Sequence, residues 1–191
     1  MKKLFFDLET TGTDIRKHSI HQIAGIVEIN GKVAESFNLL TQPHPKALIE
    51  PEVMKIGGVT EDQIWGYPPM QEMYKALLRK LGKYVDRYDK TDKLHLVGFN
   101  NRAFDDRFLR AWFEHNDDPY FGSWFWSDSL DVMVLASQYL LHTRHLMKNF
   151  KLPTVAKELG IKVEEQNLHD GQYDVQITRQ IYGIVSTNLL E

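Results

Sequence analysis

The sequence contains no cysteine among its 191 residues. A chain without cysteine forms neither a disulfide framework nor a thiolate metal site. Any catalytic metal ion must therefore be held by carboxylate and histidine side chains. Such ligands favour hard cations such as Mg²⁺ or Mn²⁺ over structural zinc.

Long apolar runs and a strong excess of either charge are also missing. The apolar run that follows Met1 already reaches an acidic residue at Asp7, which is too short for a signal peptide or for a membrane span of about 20 residues. We therefore expect a cytoplasmic protein. The formal net charge is −3, so the composition does not indicate the basic surface that is typical of nucleic-acid binding. Acids that serve as metal ligands would leave the remaining surface closer to neutral.

Internal repeats, low-complexity tracts and linkers are absent as well, so we expect a single domain over residues 1–191. The dipeptide Asn30-Gly31 between two apolar runs predicts a β-hairpin, and five of the seven prolines fall within the connection 41–69. Apolar patterning predicts strands over residues 3–8, 20–29, 32–40 and 94–99. It predicts helices over residues 51–56, 61–65, 70–88, 103–115, 128–141, 153–159 and 172–189. This order indicates an α/β domain with a mixed β-sheet flanked by helices.

The first polar cluster runs from Asp7 to Gly12 at the end of the first predicted strand. Residues two apart on a strand share a face, so Asp7 and Glu9 project side by side while Leu8 points into the core. Two neighbouring carboxylates repel each other, and one tends to stay protonated unless a cation lies between them. The alternative is an exposed strand end with two solvated acids.

The second cluster, residues 98–109, places a strand end directly before a helix start. Asp105 falls in the first helical turn, where the helix dipole favours a negative side chain, and it has no basic residue four positions away. Asp106 has Arg102 and Arg110 at that spacing, so we expect ordinary surface ion pairs there. The alternative, which this cluster alone favours, is that Asp105 and Asp106 only stabilise the start of the helix.

The third cluster lies at the start of the last predicted helix. Asp174 shares a helical face with three apolar residues, Ile177, Ile181 and Val185. A carboxylate on such a face is costly unless it is paired, hydrogen-bonded or metal-bound. Asp170-Gly171 is a cap signal, so we place His169 in the preceding loop, where an imidazole titrates near neutral pH. The alternative is a solvated loop histidine.

These three clusters resemble the motifs of the DEDDh 3′–5′ exonucleases, a DnaQ-like family of the ribonuclease-H-like superfamily. The matching segments are Asp7-x-Glu9-Thr10-Thr11-Gly12, Asn101-x-x-Phe104-Asp105 and His169-x₄-Asp174. They follow the family order from residue 4 to about residue 185, and further similarity lies in residues 20–23, 56–60 and 128–130. Asn100 departs from the pattern, since many relatives have histidine before the asparagine of the second motif. The resemblance implies a ribonuclease-H-like sheet.

The resemblance also implies site roles. Asp7, Glu9, Asp105 and Asp174 would hold two divalent ions, Mg²⁺ or Mn²⁺, with Asp7 contacting both; one ion orients the attacking water and the other stabilises the leaving 3′ oxygen. His169 would act as the general base. The residues expected to bind the substrate are Thr10, Thr11 and Gly12 for the terminal nucleotide, with Asn101 and Phe104 lining the pocket. The expected reaction releases nucleoside 5′-monophosphates from the 3′ end of DNA, single-stranded or frayed.

Three alternatives stay open at this point. One is an RNA-directed 3′–5′ exonuclease of the same family, because the motifs do not read the 2′-hydroxyl. A second is a non-catalytic nucleic-acid-binding module, against which all five site residues are intact. A third is an interaction protein that uses the aromatic segment 120–126, which is more typical of a core or a partner surface than of base stacking.

A basic run and the end of the sequence give expectations about nucleic-acid and protein partners. The run consists of Arg144, His145, Lys148 and Lys151, which either contact a phosphate backbone or form a solvated loop. No polymerase-tethering tail follows the last predicted helix. We expect a stand-alone enzyme or a subunit joined through its surface, with association with a polymerase and self-association both open.

Overall fold

A five-stranded mixed sheet forms the centre of the computed structural model, which describes residues 1–168 and 170–187. The strands are β1 (Lys2–Thr10), β2 (Ile20–Ile29), β3 (Lys32–Leu40), β4 (His95–Gly98) and β5 (Leu130–Asp131). Their order across the sheet is β3-β2-β1-β4-β5. This arrangement confirms the predicted α/β class.

The helices flank this sheet. Their bounds are α1 (Pro51–Ile56), α2 (Glu61–Trp65), α3 (Met70–Leu81), α4 (Asp105–His115), α5 (Val132–Tyr139), α6 (Leu152–Glu158) and α7 (Gly171–Thr187). Short 3₁₀ turns cover Phe121–Ser123, Arg144–Leu146 and Glu165–Asn167. Within the described ranges, no helix is both long and apolar enough to cross a membrane.

Two strand directions meet at β1. β1 pairs with β2 in antiparallel and with β4 in parallel orientation, and β5 continues the parallel part. The predicted hairpin is confirmed: Asn30 (φ 49°) and Gly31 (φ 81°) adopt the left-handed conformation that a tight two-residue turn requires. Because β1, β4 and β5 are parallel, their carboxyl ends lie at one edge of the sheet, and the chemistry-bearing residues follow those ends.

The central strand β1 is buried on both faces. Phe6 and Leu8 pack into one core with α3 and α4, whereas Phe5 packs into a second core with α5, α6 and α7. Full burial of one such side chain contributes about 1.5–3 kcal/mol. β1 is therefore held from both sides, which fixes the position of the residues at its end.

Two predicted elements differ from the structure. The helix predicted over residues 70–88 ends at Leu81, because Gly82 caps it. Val85 is buried as a helical pattern predicts, although it lies in the turn that follows the helix. The helix predicted over 128–141 is α5 preceded by the two-residue strand β5, which was not predicted.

The aromatic segment 120–126 belongs mainly to the core. Phe121, Trp124 and Phe125 are buried and pack against the α4 side of the sheet, while Tyr120 is 57% exposed. The core interpretation of this segment therefore holds for its three buried rings.

Candidate active site

Asp7 and Glu9 lie near the carboxyl end of β1, where they pair with Ala24 and Gln22 of β2. The residues between and before them, Leu8 and Phe6, belong to the core on the opposite face. The alternation of the strand thus places both carboxylates on one face, as the sequence predicts.

Asp105 reaches the same place from the second motif. It is the first residue of α4 and is only 7% exposed. The backbone N–H of Leu8, which lies between the two acids of β1, donates a hydrogen bond to Asp105 Oδ1 at 3.2 Å. The parallel pairing of β1 with β4 brings this helix start across the end of β1.

Asp174 comes from the first turn of α7. That helix begins against Asp7: a Cβ added to Gly171 would lie 3.5 Å from Asp7 Oδ2 and 3.3 Å from the Cβ of Ala24. The predicted cap is present, because Asp170 Oδ1 accepts a hydrogen bond from the backbone N–H of Gln172 at 2.8 Å.

The four carboxylates act on one another electrostatically. Burial, followed by the charges of Asp105, Glu9 and Asp174, raises the pKa of Asp7 well above its usual value. Burial, followed by the charges of Asp174 and Asp105, raises the pKa of Glu9 to about 8. Burial also raises the pKa of Asp105 to about 7, although the hydrogen bond from Leu8 works against that rise. The structure therefore gathers four acids. Burial drives Asp7, Glu9 and Asp105 toward protonation, and repulsion by the other acids of the cluster adds to this for Asp7 and Glu9.

This donor set fits a hard divalent cation, because it consists of carboxylate oxygens whose repulsion a cation relieves. Within residues 1–168 and 170–187, no three acidic or histidine side chains already meet the geometry of a bound metal ion. Binding an ion therefore requires the side chains of Asp7, Glu9, Asp105 and Asp174 to close on it.

His169 lies outside the described residues. The next residue, Asp170, is described, and its charge contributes to the raised pKa of Glu9. The role of His169 as a general base stays a prediction.

The loop before α4 is fixed by Asp106. Asn101 is fully buried and its Nδ2 donates to Asp106 Oδ1 at 2.9 Å, while the Ser129 hydroxyl donates to Asp106 Oδ2. The predicted ion pairs of Asp106 with Arg102 and Arg110 were wrong. The carboxylate turns inward to these two tertiary partners, which helix spacing cannot indicate.

Asp131 is a further structural residue that the sequence analysis did not identify. Its Oδ1 accepts hydrogen bonds from the backbone N–H groups of Asn100 at 3.0 Å and Met133 at 2.9 Å. It thereby caps α5 and holds Asn100, which has a left-handed φ of 63°. An aspartate two residues before a helical N–H is a recognisable cap signal.

Hydrogen bonds of the two threonine hydroxyls hold the Thr10-Thr11-Gly12 segment in place. The Thr11 hydroxyl donates to the Leu48 carbonyl at 2.7 Å and accepts from the Ser19 N–H at 3.0 Å, and the Thr10 hydroxyl donates to the Gly12 carbonyl at 2.8 Å. These bonds shape the turn beside Glu9. Contact of Thr10, Thr11 and Gly12 with a terminal nucleotide stays a prediction.

His18 also shapes this turn, and no sequence pattern indicated it. Its buried ring accepts a hydrogen bond from the Asp14 N–H at Nδ1, and its Nε2 lies 3.0 Å from Glu50 Oε1. A Cβ added to Gly12 would lie 2.4 Å from the ring. Gly12 is therefore required by the close approach of His18.

The two predicted pocket residues of the second motif differ in accessibility. Asn101 is buried, whereas Phe104 is half-buried beside Asp105 with its ring 4.8 Å from that of Phe108. Phe104 is thus the one with surface left for a ligand, and the substrate role of both stays a prediction.

The basic run follows α5. Arg144 lies over the Phe150 ring at 4.3 Å, and the other members, His145, Lys148 and Lys151, are exposed. This partial exposure is compatible with phosphate contact and with solvation, so the predicted contact stays open.

The comparisons agree with the motifs. Residues 4–182 match the model of the RNase T exonuclease family. The PolC-type DNA polymerase III of Bacillus cereus is 24% identical over 173 residues, which cover 91% of this chain and 10% of that protein. The DNA polymerase III subunit epsilon of Aquifex aeolicus is 24% identical over 92% of this chain and 76% of that protein. Exodeoxyribonuclease I of Escherichia coli is 28% identical over 96% of this chain and 40% of that protein.

A solved structure shares the fold. The zinc-ion-bound form of the E. coli exonuclease I complex with single-stranded DNA superposes with a TM-score of 0.78 at 23% identity, covering 98% of this chain and 40% of that one. This chain spans about a tenth of the PolC-type polymerases it matches. The fold and the matched residues together confirm the resemblance: the chain belongs to the RNase T exonuclease family, DnaQ-like nucleases with the ribonuclease-H-like fold.

Proposed function

We propose that residues 1–191 form a single domain that hydrolyses phosphodiester bonds from the 3′ end of single-stranded or frayed DNA. The products are nucleoside 5′-monophosphates. The observation that carries this proposal is the convergence of Asp7, Glu9, Asp105 and Asp174 from three separate elements. Burial raises the pKa values of Asp7, Glu9 and Asp105, and the charges of neighbouring acids of the cluster raise those of Asp7 and Glu9 further.

The same four side chains would hold two Mg²⁺ or Mn²⁺ ions, with Asp7 shared between them as in the family. Such ions lower the pKa of water and neutralise charge that builds on the scissile phosphate. The chain contributes the placement: the hydrogen bond from Leu8 orients Asp105, and the close start of α7 sets Asp174 opposite β1. Carboxylates held on rigid elements bind ions in a fixed arrangement.

His169 would remove the proton from the attacking water, which an imidazole of ordinary pKa near about 6.5 can do at neutral pH. Because His169 is not proposed as a metal ligand, His169→Ala should lower turnover by about 10²–10⁴-fold while Mg²⁺ affinity is retained. Loss of Mg²⁺ affinity in parallel with turnover would contradict this role.

DNA is favoured as the substrate because relatives of this chain are named as DNA polymerase subunits and as an exodeoxyribonuclease. The chain covers only part of several of these proteins, so their partners are not carried over. Association with a polymerase or with a second copy of the chain is left to a separate measurement of mass in solution.

Labelled oligonucleotides test the proposal. Matched single-stranded DNA, duplex DNA, mismatched DNA and RNA carrying a 5′ label are incubated with Mg²⁺ or with Mn²⁺, and the products are resolved by length. We expect ladders that shorten from the 3′ end of DNA, and chromatography of the unlabelled products should show nucleoside 5′-monophosphates. Faster cleavage of RNA than of matched DNA would show that RNA is the preferred substrate. Cleavage at internal positions would contradict the exonuclease assignment.

Two variants tie that activity to the site. Asp7→Ala should abolish nucleotide release, because it removes the carboxylate that both ions would share in the proposed site. Glu72→Ala, which changes an exposed acid in the first turn of α3, is the matched control and should retain full activity.

A further inference from the structure

A groove opens beside the acidic cluster and is lined by two arginines, Arg107 and Arg110, that form no ion pair with any described residue. Two pockets, of 430 Å³ and 220 Å³, share Ile15 and Arg107 and so adjoin each other. We name them together the α4 groove. Its walls are the turn after β1 and the outer face of α4, and they include Thr13, Ile15, Arg16, Arg107, Arg110 and Glu114.

The groove begins at the site on both walls. Thr13 directly follows the turn that ends β1, and Arg107 lies two residues after Asp105 on α4. From there α4 advances by about 1.5 Å per residue toward Glu114. The α4 groove therefore leads away from the carboxylates along the surface.

Positive charge in the groove is available to a ligand. Arg107 and Arg110 are exposed and lie one helical turn apart, and neither forms an ion pair within the described part of the chain. The Arg110 guanidinium lies over the Phe121 ring, with its Cζ 4.1 Å from the ring centroid, and this contact orients it. Arg16 is already paired with Asp14 at 3.1 Å.

The acids of the groove do little to cancel this charge. Asp106 accepts hydrogen bonds from Asn101 and Ser129 and so faces the protein. Glu114 lines the same part of the groove one helical turn after Arg110, but no ion pair joins the two side chains in the described part of the chain. Two unpaired guanidinium groups next to a phosphodiesterase site match the phosphates of a polyanionic strand.

We propose that the α4 groove binds the sugar-phosphate backbone of the single strand upstream of the scissile bond, with Arg107 and Arg110 each contacting a phosphate. This inference rests on the proposed function, because it requires the 3′ end of the strand to lie at the carboxylates. The strand upstream of that end would then lie in the groove. The arginines contribute affinity for longer strands and take no part in the chemical step.

The test compares two double variants that lose the same charge. Arg107→Gln/Arg110→Gln removes the groove cations. Lys32→Gln/Lys90→Gln removes two exposed lysines near the opposite end of β1, where Asn30 and Asp92 contact the first two residues of the chain. For each protein kcat and KM are measured on a DNA 12-mer and on a dinucleotide, over a range of salt concentrations.

We expect the groove variant to raise KM for the 12-mer by about tenfold at low salt, with kcat unchanged. The slope of log kcat/KM against log salt should fall by about 1.4, which is about 0.7 for each of two lost phosphate contacts. Hydrolysis of the dinucleotide should change less than about twofold, because it has no upstream phosphate.

The single variant Arg107→Gln is a control for misfolding, because the Arg107 side chain makes no ion pair or hydrogen bond within residues 1–168 and 170–187. It should show about half of the change in slope. Equal behaviour of the groove and control variants on the 12-mer would overturn the inference. Failure of the unmodified protein to shorten any strand would instead refute the proposed function.

Discussion

Two glycines, one beside the site and one in α7, differ in the space around them. A Cβ on Gly98 would lie 2.6 Å from the Cβ of Asn101 and 3.2 Å from the Phe6 carbonyl, whereas a Cβ on Gly183 of α7 would meet nothing within 4 Å. We expect Gly98→Ala to destabilise the protein by about 1–3 kcal/mol. Gly183→Ala should stabilise it by about 0.5–1 kcal/mol, because alanine is the better helix former.

Chemical denaturation of both glycine variants measures these changes. We expect Gly98→Ala to lower activity and Gly183→Ala to leave it unchanged, because only the first forces Asn101 and the loop before Asp105 to move. Equal stability of the two variants would show that the close approach of Gly98 and Asn101 is wrong.

Asp106 is the second residue whose role can be measured. Asp106→Asn keeps the shape but replaces the charged acceptor by a neutral amide, so the hydrogen bonds with Asn101 and Ser129 are no longer strengthened by a charge. We expect a loss of about 1–3 kcal/mol in the free energy of unfolding. Asp128→Asn, at an exposed position nearby, should stay within about 0.5 kcal/mol of the unmodified protein. If the free energy of unfolding of Asp106→Asn equalled that of the unmodified protein, surface ion pairs of Asp106 with Arg102 and Arg110 would explain the residue better.

The four acids themselves could be found from the sequence, but their convergence could not. Strand alternation places Asp7 and Glu9 on one face. Only the parallel pairing of β1 with β4 brings Asp105 to the backbone of Leu8. Before the structure, that step depended on the family resemblance. The hydrogen bonds of Asp106 and the packing of His18 on Gly12 are long-range contacts that leave no local pattern.

At the scale of elements, Glu35 joins β3 to α3 and the turn after it. Its carboxylate accepts hydrogen bonds from Lys80 at 2.7 Å, Lys83 at 2.9 Å and the Tyr84 hydroxyl at 3.1 Å. These partners lower the pKa of Glu35 from its usual 4.5 to about 2. The stabilisation is therefore fully present above about pH 4.5 and is lost as the pH falls toward 2.

We expect Glu35→Gln to destabilise the protein by roughly 1 kcal/mol at pH 6, a figure reduced for the solvent exposure of the lysines. The difference from the unmodified protein should shrink steadily between pH 4.5 and pH 3. Urea titrations over that range measure it, with Glu72→Gln as a control on the exposed side of α3. A difference that stays constant with pH would rule out this ion-pair cluster as its source.

Elements with strong periodicity were predicted well, and short ones were not. The bounds of β2 and β3 match the prediction because alternation and the Asn30-Gly31 turn mark them. β5 has only two residues, which is too few for a period to show. Its position next to β4 is set by the sheet rather than by its own sequence.

At the scale of the whole molecule, two cores support one edge. The cluster formed with α3 and α4 fixes the helix that begins at Asp105, and the cluster formed with α7 fixes the helix that carries Asp174. β1 lies between the two cores and supplies the remaining acids. The mixed sheet thus holds in place carboxylates that would otherwise move apart, because their charges repel.

The most direct test of a metal-binding cluster is the thermal stability of Asp7→Asn with and without Mg²⁺. Replacing one of four repelling acids should raise the melting temperature in chelator, because the repulsion and desolvation that raise the pKa of Asp7 are removed. Mg²⁺ should raise the melting temperature of the unmodified protein, leave Asp7→Asn unaffected, and support nucleotide release only in the former. An equal Mg²⁺-dependent rise in both proteins, with nucleotide release intact in Asp7→Asn, would contradict the assignment of the cluster as the catalytic metal site.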